Sequence, residues 1–264
     1  MGDYGGYSSI RFERIGDILK VTLANPRNEL NAVDGELHDE LCRLFADLKV
    51  EREARAVLLT GSGRAFSAGG DFNWMRGVTK DALYEMRREG KQIVWNLLDV
   101  ELPIVAAVNG PAIGLGATIA LLCDVVYMAD TAILADPHVR VGIVAGDGGA
   151  AIWPLVLGPA LAKRYLMTGD SLSAAEAERY GLVTGVTTAD ELEETALKFA
   201  RRLAAGAPLA VRYTKAAVNQ YVKQVATTTF DYSMGLELLT FVSEDHSEAL
   251  AAIKEKRKPS FQGK

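Results

Sequence analysis

Short apolar runs alternate with amphipathic stretches along the chain up to about Gly146. Two strands are predicted on either side of a turn at Gly16-Asp17, and the helix that follows repeats leucine at helical spacing. Strands are predicted at 10–13, 18–23, 54–60, 104–108, 123–128 and 132–134, and helices at 31–48 and 80–98. Because strands alternate with helices, the pattern favours an α/β core with parallel strand pairing.

Beyond Gly146 nearly every segment has helical spacing. Helices are predicted at 148–157, 159–168, 173–180, 188–205, 207–222 and 230–256. One short strand is predicted among them, near Leu182-Val183. The pattern therefore predicts an α/β core followed by a helical C-terminal part.

Composition and charge narrow the class of partner. The chain has 264 residues, of which 49% are hydrophobic and 24% charged, as is usual for a soluble globular protein. The net charge of -5 argues against nucleic acid as a partner, because phosphate binding needs a basic surface. A basic stretch at 254–258 is either a solvated helix end or a phosphate contact.

Neither the cysteines nor the apolar segments indicate a secreted or membrane protein. Cys42 and Cys123 lie in apolar patterns and suggest no disulfide framework and no metal site. The N-terminus lacks the layout of a signal peptide. The apolar run at 104–129 is interrupted at Asn109-Gly110-Pro111 and again at Asp124, which favours a buried strand–turn–helix–strand over a membrane span. We expect a cytoplasmic protein with no membrane partner.

Two loops of small residues carry the candidate chemistry: RAFSAGGD at 64–71 and NGPAIGLG at 109–116. Each follows a predicted strand and precedes a predicted helix. Glycine lets the backbone approach a ligand closely, and the N–H groups at a helix start have no partner within the helix. Two such N–H groups that meet at one oxygen would form an oxyanion hole, which stabilises an enolate or a tetrahedral anion.

These loops also carry a family resemblance. GRAFSAGGDF, followed by AAVNGPAIGLGATIALLCDVVYMAD, resembles the crotonase (enoyl-CoA hydratase/isomerase) superfamily, and LANPRNELNA at 23–32 and EKRKPSF at 255–261 extend the resemblance. It implies an α/β fold: a crotonase-like spiral of β-β-α turns with a C-terminal helical oligomerisation region. The spiral core with the acyl-CoA site would span 1–200 and the oligomerisation region 201–264. Periodicity alone does not distinguish this spiral from a doubly wound sheet.

The resemblance also implies specific site residues. The oxyanion donors would be the backbone N–H groups of Gly70 and Leu115, and Trp74 would line the acyl pocket. The protein would hold no permanent cofactor and no metal, and coenzyme A would enter as part of the substrate. The positions that match the family's coenzyme A contacts are Asn28, Leu30, Ala68, Asp71, Ile253 and Lys256. Assembly into homotrimers, or dimers of trimers, is implied as well.

The sequence departs from the family pattern at the acid/base positions. The two glutamates of the hydratases fall on Thr118, which we place in the substrate pocket, and on His138. Threonine does not titrate near neutral pH, so it can only orient water, whereas a histidine pKa of about 6.5 suits proton transfer. Asp147 is either a second acid/base group or the N-cap of the helix at 148–157. His38 and His246 are interpreted as lying on solvated helix faces and receive no role.

An acyl-CoA enzyme of the hydratase/isomerase type, which stabilises an enolate, is therefore the favoured function. Isomerisation needs only one titratable group and tolerates Thr118 better than hydration does. Hydrolase and decarboxylase activities on the same scaffold, and coenzyme A binding without turnover, remain alternatives. A nicotinamide oxidoreductase is disfavoured because neither loop has the dinucleotide-binding glycine pattern, and a serine hydrolase because the chain has no G-x-S-x-G elbow.

Overall fold

Two β-sheets of unequal size form the α/β core. The computed structural model describes residues 4–77 and 79–264. The larger sheet has six strands in the order β1-β2-β3-β4-β6-β9. They are β1 Ile10–Ile15, β2 Ile18–Leu23, β3 Ala56–Gly61, β4 Ile104–Val108, β6 Val125–Ala129 and β9 Gly185–Thr187.

Strand direction and burial agree with an α/β arrangement. Strands β1 and β2 form an antiparallel hairpin, and all the other pairs in the larger sheet are parallel. Every residue of β3 and β4 is buried, which is typical of parallel strands covered on both faces. The prediction of parallel pairing is confirmed.

The smaller sheet runs beside the larger one and gives the fold its spiral character. It contains β5 Ala112–Ile113, β7 Ile133–Ala135 and β8 Leu172–Ser173. Ser67 extends it through an isolated parallel bridge to Ala112. Each turn of chain thus passes from a strand of the larger sheet to one of the smaller sheet and then to a helix. This repeated β-β-α turn resolves the choice that periodicity left open.

Ten helices of the described residues surround the sheets. They are α1 Gly35–Val50, α2 Phe72–Arg76, α3 Lys80–Asp99, α4 Leu115–Leu122, α5 Gly149–Leu157, α6 Pro159–Thr168, α7 Ala174–Arg179, α8 Leu192–Ala204, α9 Pro208–Phe241 and α10 Glu244–Glu255. A short 3₁₀ helix spans His138–Val141. Helix α9 packs against α3 and α5 and so closes one side of the core. In the part of the chain that the structure describes, none of the helices has both the length and the apolar character needed to cross a lipid bilayer.

Two predictions about the C-terminal part are wrong. The break predicted between helices 207–222 and 230–256 does not exist, because α9 runs from Pro208 to Phe241. The remainder of the second predicted helix is a separate helix, α10, which begins at Glu244. The threonines at the predicted break return hydrogen bonds to α9, as Thr227 Oγ1 does to the Lys223 carbonyl at 2.7 Å, so they do not break it. The strand predicted near Leu182-Val183 lies at 185–187, because the Leu182 N–H donates to the Ala177 carbonyl and so closes the end of α7.

Candidate active site

A largely apolar cavity of about 400 Å³ lies where the two glycine loops meet the C-terminal helices. Its wall is formed by parts of both loops, the 3₁₀ helix, α3, α9 and α10. The large apolar side chains on this wall are Phe72, Trp74, Met75, Met86, Met234, Leu238 and Phe241. A cavity of this size and character suits an apolar small-molecule group of moderate size.

The two loops lie side by side through backbone hydrogen bonds. The Ile113 N–H donates to the Ser67 carbonyl at 2.9 Å. The amide N–H groups of Gly70 and Leu115 both belong to residues on the cavity wall, and neither donates to an acceptor among the described residues. Leu115 is the first residue of α4, so its N–H has no partner within that helix. Two residues whose amides are unbonded among the described residues therefore line the same cavity, on neighbouring loops.

Gly114 allows the second glycine loop to approach His138 closely. Its φ of 52° and ψ of -121° lie in a region that only glycine adopts readily. A Cβ atom there would lie 3.2 Å from Cε1 of His138. The glycine thus allows the imidazole ring to pack against the loop directly before the Leu115 amide.

His138 is surrounded by three carboxyl groups. Its Nδ1 is hydrogen bonded to Asp136, which lies just beyond β7. Its Nε2 is 3.5 Å from Asp147 Oδ2 and 3.9 Å from Glu237 Oε1. The bond to Asp136 fixes the orientation of the ring, so that Nε2 is left to interact with the other two groups. The structure thus brings the predicted pair His138 and Asp147 together.

The charges of these groups follow from their surroundings. Burial opposes protonation of His138, but the carboxylates of Asp136 and Asp147 outweigh it and raise the pKa of the imidazole well above its usual value. Burial and the neighbouring Asp147 raise the pKa of Glu237 well above the usual range of a carboxyl group. We therefore describe the site near neutral pH as an imidazolium with a neutral Glu237.

Sequence reasoning missed Glu237. It is the only charged residue between Asp231 and Glu244, and this isolation in an apolar stretch was the available signal. The residue is buried within α9, and its Oε2 atom has no hydrogen-bond partner among the described residues. Asp136 was missed as well, although it lies only two residues before His138.

The interpretation of two histidines as solvated is wrong. His38 is only 4% exposed because α3 covers α1, and its Nδ1 lies 2.7 Å from Glu89 Oε2. It lines the cavity beside Trp74, with 5.4 Å between ring centroids. His246 is also 4% exposed, because α10 packs on the 3₁₀ helix and its Nδ1 is bonded to the Val141 carbonyl.

Thr118 and Asp147 lie in different surroundings. The side chain of Thr118 is fully buried against Gly148 and is not among the described residues that line the cavity, so its place in a substrate pocket stays a prediction. Asp147 is not the N-cap of α5: that position is Gly148, with no side-chain capping bond. Asp147 lines the cavity instead, with Oδ1 buried and unbonded among the described residues.

The positions that match the family's coenzyme A contacts form two groups, one on the early loop and the first glycine loop and one at the end of α10. The early loop is joined to the first glycine loop, because the Ala68 N–H donates to the Leu30 carbonyl at 2.9 Å and the Asn28 amide lies 3.4 Å from Asp71 Oδ2. On α10, Ile253 lines the cavity. Lys256 follows as the exposed C-cap of that helix.

Asp136, His138 and Asp147 also have the side-chain types that bind metal ions. One ligand atom from each lies within 4.8 Å of the others. A metal bound at a histidine nitrogen requires the neutral ring, however, whereas the flanking carboxylates favour the imidazolium.

Comparisons with known proteins identify the family of this chain. The enoyl-CoA hydratase/isomerase family model matches residues 13–264. The chain is 33% identical to the crotonyl-CoA hydratase of Syntrophomonas wolfei over 97% of this chain and 98% of that protein. Among solved structures, an enoyl-CoA hydratase/isomerase from Mycobacterium paratuberculosis is 38% identical, with a TM-score of 0.89 over 93% of this chain and 99% of that one.

A relative with a different name is similar to nearly the same extent. A β-diketone hydrolase from the cyanobacterium Anabaena sp. PCC 7120, solved with (S)-3-oxocyclohexyl acetic acid, is 34% identical, with a TM-score of 0.85 over 90% of this chain and 96% of that one. The family match covers almost the whole chain and the fold agrees. The chain therefore belongs to the enoyl-CoA hydratase/isomerase family.

Proposed function

We propose that this protein converts an acyl-CoA thioester through an enolate, whose oxygen is held by the N–H groups of Gly70 and Leu115. The observation that carries the proposal is the position of these two unbonded amides, on adjacent loops and on the same cavity as His138 and Asp147. One donor of such a hole typically contributes about 3–4 kcal/mol to the transition state. Leu115 begins α4, so the helix dipole adds to the field at the enolate oxygen.

His138 and Asp147 serve as the acid/base pair in this proposal. They replace the glutamates of the hydratases, and their separation of 3.5 Å allows a hydrogen bond to tighten when substrate binds. Coenzyme A lies along the early loop and the first glycine loop, and Ile253 and Lys256 of α10 complete its site. The acyl group enters the apolar cavity beside Trp74.

A second candidate function is the hydrolytic cleavage of a carbon–carbon bond in a β-diketone. The similarity to the cyanobacterial β-diketone hydrolase favours it, as does a site that has histidine and aspartate at the acid/base positions. Attack of water on one carbonyl expels the enolate of the other, and the same two amides suit that anion. The cavity volume also suits a ring bearing two carbonyl groups.

One experiment tests the first proposal and separates it from the second. The protein is incubated in deuterated water with a panel of acyl-CoA thioesters, and in parallel with cyclic and linear β-diketones. Deuterium at the carbon next to the thioester carbonyl reports an enolate whatever the net reaction. Coenzyme A should also raise the thermal midpoint, as a ligand of the native state must. Absence of both effects, with cleavage of a diketone, would replace the first candidate by the second.

The role of Asp147 is tested with a matched pair of variants. Asp147→Asn should abolish net turnover, because the amide cannot accept a proton. Asp39→Asn removes a carboxylate that pairs with Arg43 on the surface, so it should behave as the wild type. Full turnover in Asp147→Asn would show that Asp147 is not an acid/base group of the reaction.

The outer surface of α9 supports a homotrimer or a dimer of trimers. Large apolar side chains are exposed along this helix and at its end: Leu209, Tyr213, Val218, Tyr221, Tyr232, Leu239 and Val242. Such a stripe is unusual for the surface of a monomer. Light scattering of the purified protein measures the assembly directly, and the mass of a single chain in solution would contradict it.

A further inference from the structure

Glu237 reaches the cavity from a C-terminal helix and not from the glycine loops. It lies on α9, whereas the donors Gly70 and Leu115 belong to loops of the α/β core. Gly146 permits this approach, because a Cβ at that position would lie 2.6 Å from Cβ of Glu237. A carboxyl group from a distant part of the chain is thereby brought onto the wall of the substrate cavity.

The charged groups around Glu237 restrict its chemical form. Asp147 and Asp136 face it with carboxylates, and His138 Nε2 lies 3.9 Å from its Oε1. Its Oε2 is buried without a partner among the described residues. Burial and the two neighbouring carboxylates outweigh the opposing effect of His138 and raise the pKa of Glu237, which favours the neutral acid with a proton that it can donate.

His138 links Glu237 to Asp147. Its Nε2 is 3.9 Å from Glu237 Oε1 and 3.5 Å from Asp147 Oδ2, so a single ring nitrogen stands between an acid and a base. Asp136 holds the opposite side of the ring. Proton transfer from Asp147 to Glu237 can therefore pass through this nitrogen once the contacts tighten.

We propose that Glu237 is a catalytic proton donor, which gives its proton to the carbon next to the thioester carbonyl of a bound 2-enoyl-CoA while Asp147 takes a proton from the attacking water. This inference rests on the proposed acyl-CoA function. Thr118 and His138 occupy the positions of the two glutamates that hydratases of the family use. Hydration becomes possible at this site again if Glu237 of α9 serves as the acid and Asp147 of the loop before α5 serves as the base.

In the proposed hydration, every bond that forms is matched by one that breaks. The water oxygen bonds to C3, and the electron pair of the C2–C3 double bond moves to form the enolate, whose oxygen the Gly70 and Leu115 amides hold. The water proton passes to Asp147, and the Glu237 proton forms the new C2–H bond. Transfer of the proton from Asp147 through His138 to Glu237 restores the starting site. One water has been added, and nothing is oxidised or reduced.

The test follows two reactions of the protein, each with its own acyl-CoA thioester. Crotonyl-CoA reports hydration through the loss of its enoyl absorbance. Butyryl-CoA has no double bond and no leaving group at C3, so in deuterated water it reports only proton exchange at C2. Glu237→Gln keeps the shape of the side chain but holds no transferable proton. We expect it to slow both hydration and exchange at least 100-fold while KM for crotonyl-CoA changes little, because general acid catalysis contributes about 10²–10⁴-fold.

Two further variants distinguish this role from a structural one. Asp147→Asn should slow hydration to a similar degree, because no base then accepts the water proton. C2 exchange should fall less than hydration does, because loss of the Asp147 carboxylate lowers the pKa of Glu237 and so increases the ionised fraction that can take up the C2 proton. Asp231→Asn, on the solvent side of α9 where Asp231 pairs with Lys91, should leave both reactions unchanged. A structural fault in α9 would slow both reactions in every α9 variant and would lower the thermal midpoint.

The outcomes separate this inference from the proposed function. Glu237→Gln exchanging C2 hydrogens within tenfold of the wild-type rate would overturn the role of Glu237 and leave the enolate mechanism intact. No exchange in the wild-type protein would refute the enolate mechanism itself. If Glu237→Gln unfolds, Glu237→Asp serves in its place: it keeps an acid on a shorter side chain, and exchange at the full wild-type rate from that position would equally overturn the proposal.

Discussion

Replacing Leu115 by proline removes one oxyanion donor with little change to the fold. Leu115 is the first residue of α4, where proline is well tolerated because the N–H has no helical partner and φ is already suitable. The side chain is 6% exposed, so its loss also costs packing free energy. Leu115→Ala is the matched control, since it loses a comparable side chain and keeps the amide.

The two variants should have similar stability and very different activity. Truncation of a buried leucine typically costs about 2–5 kcal/mol, which urea unfolding would show in both proteins. Loss of the N–H should cost Leu115→Pro alone a further 3–4 kcal/mol or so in the transition state, which is roughly a 100- to 1,000-fold fall in turnover. Deuterium exchange at C2 of an acyl-CoA measures this step. Exchange in Leu115→Pro within about threefold of Leu115→Ala would refute the assignment of this amide as a donor.

Three more predictions concern the free energy of unfolding. Gly114→Ala should cost about 1–2 kcal/mol through its positive φ, with further loss from the contact at His138, and chemical denaturation measures the sum. Glu51→Ala should cost about 1–3 kcal/mol at pH 7, because Glu51 accepts hydrogen bonds from the Tyr4 hydroxyl and the Ala54 N–H. These bonds outweigh burial and lower the pKa of Glu51 to about 2, so the stability difference from the wild type should shrink as the pH falls from about 4.5 towards 2. An undiminished stability difference at low pH would contradict the pairing. Wild-type stability should fall as the pH rises above about 4.5, because the folded state keeps the Glu237 proton that the unfolded chain releases there, and more steeply above about 6.5, where the unfolded chain also releases the His138 proton. The fall should be shallower in Glu237→Gln, and equal slopes in urea titrations would contradict the neutral Glu237.

The sequence predicted those parts of the site that depend on local backbone pattern. The two glycine loops are recognisable because small residues between a strand and a helix permit backbone conformations that larger residues avoid. His138 and Asp147 are nine residues apart and are predicted because they match positions where the family has acid/base residues. Most strands were predicted from local pattern as well, since short apolar runs in a buried parallel sheet leave few other interpretations.

Residues that the tertiary fold brings together were not predictable. Glu237 lies 99 positions after His138, and only the packing of α9 on the core places it at the cavity. His38 was misinterpreted because α3, which covers it, is distant in sequence. The continuity of α9 was missed because threonine is a weak helix former, and its bonds back to the helix do not show in the amino-acid pattern.

The length of α9 allows a small tilt of this helix to move the carboxyl group of Glu237. A helix of 34 residues is about 51 Å long, and buried hydrogen bonds from Lys215 to the Leu102 carbonyl and from Asn219 to the Leu98 carbonyl hold its first third on the core. Glu237 lies roughly 27 Å beyond Asn219, so a tilt of only about 2° about that point carries the carboxyl group through about 1 Å. That displacement is enough to convert the 3.9 Å separation from His138 into hydrogen-bonding distance, so a subtle response of α9 to a bound acyl group suffices to connect the proton relay.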